Sequence, residues 1–186
     1  MTNKLLKSAL ILLAVVMASC SDDDGNAPLP VNEEEIITTL TVTLTPIGGG
    51  APVTLQSRDL DGDGPNPPVI TVSGDLTAGT SYSGSITLLN ETVNPADNIT
   101  LEVIDEANEH QFFYVVSANL DAIFTYTNFD GNGNPLGTEF NLDANSASSG
   151  TVNFVLRHEP TKPNDGTLAN AGGETDISVT FDITIQ

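Results

Sequence analysis

The chain of 186 residues has one cysteine, no tryptophan, and five Lys and Arg against 25 Asp and Glu, for a formal net charge of −20. Each scarcity excludes something. A lone Cys20 closes no intrachain disulfide, so the chain folds on packing alone. So few cations leave nucleic acid and anionic lipid head groups repelled, since both are recognised through Lys and Arg. The seven Phe and three Tyr stand mostly at core parity, which leaves little for a sugar-stacking platform. Gly-x-Ser-x-Gly, P-loop and Gly-x-Gly-x-x-Gly motifs are all missing, and Gly48-Gly-Gly50 is a turn with no helix after it. The many carboxylates mark out no pair of the glycosidase kind. A non-enzyme is expected. Long apolar runs are missing too: Ser8 to Ser19 would span about 18 Å as a helix, against about 30 Å of bilayer hydrocarbon.

What is present begins at the amino terminus. Lys4 and Lys7, the apolar run, and small Ala18 and Ser19 before Cys20 form a secretory signal over residues 1–19. The Met17-Ala-Ser-Cys20 stretch resembles the lipobox of bacterial lipoproteins, with Met17 where Leu is usual. That resemblance implies that Cys20 is acylated and becomes the first residue; ordinary signal cleavage is the alternative. Ser21, Asp22, Asp23 and Asp24 resemble the surface-export signal of Bacteroidota-type lipoproteins, where a solvated acidic spacer is the other reading. The implied address is the outer membrane, lipid-anchored and surface-exposed. Residues 20–32, with Pro28 and Pro30, read as the lipidated cysteine and an extended tether. Residues 33–186 are long enough for one domain that needs neither metal nor disulfide to fold.

After residue 30 the apolar residues recur every second position. Rows at Ile36–Leu44, Val53–Leu55, Val69–Val72, Tyr82–Leu88, Ile99–Val103, Phe112–Val116, Phe124–Tyr126, Leu136–Leu142, Val152–Leu156 and Ile177–Ile185 predict nine or ten short strands. Gly84 marks a bulge or close approach. Phe112–Val116, apolar on both faces, predicts a central strand, and one helical turn is expected over Asp105–Glu109. The fold class is an all-β, mainly antiparallel sandwich, immunoglobulin-like first and jelly roll second.

Two histidines stand beside glutamates, as Glu109-His110 and His158-Glu159. If the two strand ends meet, their imidazoles converge with Glu106, Glu109 and Glu159, a donor set suited to zinc or another first-row divalent ion. Two separate histidines, each satisfied locally, are the alternative. Two segments resemble calcium loops. Asp59, Asp61 and Asp63 alternate before Gly64, but the twelfth position is Ile70 rather than Glu. Asn128, Asp130 and Asn132 lead to Glu139 at the twelfth position, with Pro135 intruding. Hairpin turns demand the same Asp-Gly and Asn-Gly pairs.

Asn32-Glu-Glu-Glu-Ile36, Arg58-Asp-Leu-Asp-Gly62, Glu109-His-Gln-Phe-Phe113, Arg157-His-Glu-Pro160 and Asn170 through Asp176 to the last strand together resemble a family of small flavobacterial-type surface lipoproteins. Some members carry the label "type 1 periplasmic binding fold superfamily protein". That label implies two α/β lobes and conflicts with the strand pattern here. The resemblance brings no catalytic residue. The expected function is a lipid-anchored, non-catalytic surface binding module, an accessory to nutrient or metal uptake with an outer-membrane transporter as partner. A structural or adhesive surface protein is the alternative.

Overall fold

Nearly every alternating row becomes a strand. A computed structural model describes residues 35–62 and 64–186, so Cys20, Ser21, Asp22, Asp23, Asp24 and Asp63 lie outside the described residues. The elements are β1 (Thr39–Pro46), β2 (Val53–Arg58), β3 (Val69–Val72), β4 (Thr80–Leu89), α1 (Ile99–Asp105), β5 (His110–Val116), β6 (Ala122–Tyr126), β7 (Glu139–Ala144), β8 (Ser148–His158) and β9 (Glu174–Ile185). They belong to one compact unit, Glu34–Gln186.

Two antiparallel sheets form an all-β sandwich: six strands in the order β3-β2-β1-β4-β7-β6 and three in the order β5-β8-β9. This strand order is not the four-plus-three partition of a constant-type immunoglobulin domain, so what is shared is the sandwich architecture. The inward rows of both sheets build one core. Leu40, Val42, Leu44, Leu88, Phe140 and Leu142 come from the larger sheet and Phe112, Phe154, Leu156 and Phe181 from the smaller. Burying each such side chain stabilises the fold by about 1.5–3 kcal/mol. Gly84 is a close-approach point: a Cβ there would lie 2.3 Å from the Phe140 ring.

Three expectations are corrected. Ile99, Leu101 and Val103 alternate but form α1. Asn98 caps it by accepting the Thr100 N–H at 3.2 Å, and Ile99 and Val103, four apart, share the buried face while Leu101 is 59% exposed. An Asx cap outweighs a three-residue alternation. The turn expected over Asp105–Glu109 is the exit of this helix, where the Glu109 N–H donates to the Glu106 carbonyl at 2.8 Å. Ile36, expected in the first strand's buried row, is 61% exposed, and β1 begins three residues later. Finally, β5 is an edge strand. Its outer face is apolar because a loop covers it: Phe113, Val155 and Ala171 form a second small core against Leu168.

Candidate metal centre

β5 and β8 pair antiparallel with His110 directly opposite His158. The two expected strand ends therefore meet, and the imidazole centroids lie 4.6 Å apart. Both rings are buried, at 0% and 3% exposure. Two further residues complete the cluster. Asp176 comes from β9 and Glu35 from the lead-in to β1. One donor atom each from Glu35, His110, His158 and Asp176 lie within 4.8 Å of one another.

A bulge aims Asp176 inward. Along β8 and β9, Leu156 pairs with Ile177 but Arg157 pairs with Thr175, so Asp176 is the extra residue. Bulges re-aim side chains in this way. Gly173 lets the chain return tightly past β8: its φ is +67°, and a Cβ there would lie 2.1 Å from the His158 carbonyl oxygen. Arg157 closes that return, donating to the Gly172 carbonyl at 2.9 Å, the Gly173 carbonyl at 2.8 Å and the Thr175 hydroxyl.

His110 Nε2 lies 3.0 Å from Glu35 Oε1 and 3.8 Å from Asp176 Oδ2. His158 Nδ1 lies 3.8 Å from Glu35 Oε2 and 3.9 Å from Asp176 Oδ1. On its other side, His110 Nδ1 is 3.3 Å from the Glu106 carbonyl. A carbonyl only accepts, so this contact assigns the proton of the neutral ring to Nδ1 and leaves a lone pair on Nε2. That lone pair faces a carboxylate oxygen at 3.0 Å. Two acceptors at that distance repel unless a proton or a metal cation lies between them. Among the described residues, Glu35 Oε2 is buried and accepts no hydrogen bond.

The donor set fits a first-row divalent ion. Zinc bonds of about 2.0–2.1 Å in a tetrahedron separate donors by about 3.3–3.4 Å; the contacts above run from 3.0 to 3.9 Å through both oxygens of each carboxylate, within a set that spans up to 4.8 Å. Two carboxylates and two imidazoles, one donor atom from each, are a mixed oxygen and nitrogen set of the kind that first-row divalent ions take. Calcium does not fit, because it takes six to eight oxygens and this cluster brings two nitrogens. A buried Glu/His/Asp cluster that could hold a metal ion is therefore present.

The other expected residues lie elsewhere. Glu109 and Glu159 flank the solvent side of His158. Glu109 Oε2 is 4.0 Å from His158 Nε2 with its side chain 57% exposed, and the two glutamates form with His158 a second, open group. Asn128 and Asp130 are spent on holding their own turn. Asn128 Oδ1 accepts from the Gly137 and Glu139 N–H groups, the Asn132 side chain donates to Asn108, and Glu139 is exposed. Asp130 accepts from the Asn132 and Asn134 N–H groups, both at 2.9 Å. Lys162 Nζ stands 3.3 Å from Asp130 Oδ2, where a cation would sit, and also donates to the Ala107 and His110 carbonyls at 2.7 and 2.5 Å. In the other loop, Asp59 Oδ1 accepts the Asp61 N–H at 3.3 Å. Asp61 accepts from the Asn66 amide at 2.7 Å, a bond that lowers its carboxyl below the ordinary value. Neither Asp59 nor Asp61 joins a ligand group among the described residues.

Lys162 thus ties the loop after β8 to the exit of α1. Replacing it, as Lys162→Met, leaves two carbonyls and a carboxylate short of a donor and should cost about 2–3 kcal/mol, read by urea unfolding. Burial works against ionisation of Asp130, but the bonds from Asn134 and Asn132 and the Lys162 charge outweigh it and hold its carboxyl below the usual value. Its contribution to stability is therefore complete above about pH 4 and is lost as pH falls through the folded value.

Among the described residues, no helix is long and apolar enough to cross a membrane. Compared with protein-family models, curated proteins and solved structures, the chain matches none.

Proposed function

We propose that this chain is a lipid-anchored surface lipoprotein whose sandwich is a non-catalytic binding module for one first-row divalent cation, zinc foremost, serving metal uptake beside an outer-membrane transporter. The observation that carries the metal reading is His110 Nε2 facing Glu35 Oε1 at 3.0 Å inside a four-donor cluster. Four protein donors would fill a tetrahedral shell and leave no position for a reacting water, which supports binding over catalysis. The address rests on the lipobox-like Met17-Ala-Ser-Cys20 and on Asp22, Asp23 and Asp24.

Closure of the site favours a second reading, a structural or adhesive surface protein in which the ion is a permanent staple, since closed four-donor centres are typical of structural zinc. Equilibrium dialysis tests the metal reading: one zinc per chain is expected, and no retained zinc contradicts it. For the address, Cys20→Ala should abolish incorporation of labelled fatty acid in cells; label persisting on that variant removes the anchor from the account.

A further inference from the structure

The cluster is walled off from solvent, with side-chain exposures of 0%, 4%, 8% and 0% for His110, His158, Glu35 and Asp176. An ion reaches it only if a wall moves. The walls are held unequally. His110, His158 and Asp176 belong to β5, β8 and β9, which are hydrogen-bonded to one another. The outer side is pinned by the Glu159 N–H donating to the Glu109 carbonyl at 2.6 Å, by Lys162 on the His110 carbonyl and by Arg157 on Gly172, Gly173 and Thr175.

Glu35 alone comes from outside the three-stranded sheet. Among the described residues, the first backbone hydrogen bond of the chain is from the Thr38 N–H to the Leu89 carbonyl, at 2.9 Å. Thr38 is a firm anchor. Its hydroxyl donates to the Leu89 carbonyl at 3.0 Å and accepts the Glu91 N–H at 2.8 Å, and its own carbonyl accepts the Asp59 N–H at 2.7 Å. Among the described residues, 35–37 share none of this. Ile36 is 61% exposed; among the described residues the segment is held by Ile37, packed partly buried against the main core, and by Glu35 within the cluster.

We propose that residues 35–37 are the gate of the metal centre: the lead-in swings about Thr38, carrying Glu35 off the end of the small sheet, and the ion enters and leaves by that route. The inference rests on the reading of the cluster as a metal site. Glu35 is then both a ligand and the latch, so that the bound ion holds the gate shut and the empty site opens more readily.

A gate and a merely loosened site differ kinetically. When opening limits both directions, weakening the latch speeds association and release alike and leaves Kd nearly unchanged. The experiment uses the full chain with zinc and a chromophoric chelator, following zinc uptake and release by stopped flow, with metal-free melting to show that each variant is folded. Ile37→Ala removes packing from the lead-in without touching a ligand; it should speed both uptake and release about tenfold, with Kd changing less than about threefold. Arg157→Met loosens the opposite wall and should leave both rates within about twofold. The gate is overturned if Ile37→Ala leaves the rates unchanged, if it raises release and Kd together with uptake unaltered, or if Arg157→Met is the variant that accelerates exchange. Failure of the wild-type chain to bind zinc at all removes the centre itself, and is seen before any variant is compared.

Discussion

Saturating zinc raises the melting temperature of the metal-free protein by roughly 5–11 °C, and a chelator reverses the shift. An ion that binds only the folded state at a hundred times its Kd adds about 2.7 kcal/mol, and for a domain of this size each kcal/mol moves the midpoint by about 2–4 °C. Zinc has a large effect here because of what it replaces. In the metal-free cluster, two carboxylates share a site of at most 8% side-chain exposure with two imidazoles. A divalent cation placed between His110 Nε2 and Glu35, 3.0 Å apart, makes a bond to each of them. Calcium at the same concentration gives no shift, because the nitrogens are poor ligands for it and because Asp130, the most buried carboxylate of the better calcium-like loop, is already paired with Lys162. A calcium shift as large as that of zinc would point back to the loops.

Glu35→Gln separates a metal centre from a standing network of ion pairs. The side chain keeps its length but becomes neutral and gains a donor. Placed 3.0 Å from His110 Nε2, its amide N–H can donate to the lone pair that the carboxylate repels. Metal-free stability is therefore expected to hold or to rise, by about 1 kcal/mol, while zinc affinity falls by more than the 10–100-fold typical of losing an outer-sphere partner. An ion-pair network predicts the opposite sign. Neutralising one member of a buried pair between carboxylate and imidazolium costs about 3–5 kcal/mol whether or not metal is present. Chemical denaturation of both proteins with and without zinc reads the difference.

Much of this site is written in the chain, and its hidden half is hidden for specific reasons. His110 and His158 are legible because each ends an alternating row, so that pairing of two strands brings them face to face. Asp176 is not, because it has the outward parity of its strand; only the bulge opposite Arg157 turns it inward, and Gly172-Gly173 is the faint signal that the chain bends there. Glu35 hides at the end of the acidic run Glu33-Glu34-Glu35, and nothing local says that its side chain is buried. Four of the five segments that carry the lipoprotein resemblance each hold one donor: Glu35, His110, His158 and Asp176.

The fold divides the same way. Long rows such as that of β9 state their strand plainly, whereas the short alternation at Ile99–Val103 yields to the cap at Asn98. The two-sided apolar β5 looks central, although a covering loop and not a further strand buries its outer face.

X-ray absorption at the zinc edge of the loaded protein tests the central claim most directly. Glu35, His110, His158 and Asp176 predict four donors at about 2.0–2.1 Å, two of them imidazole nitrogens with the multiple scattering of the ring and two carboxylate oxygens. A six-oxygen shell without imidazole, as a hydrated ion on surface carboxylates would give, contradicts it.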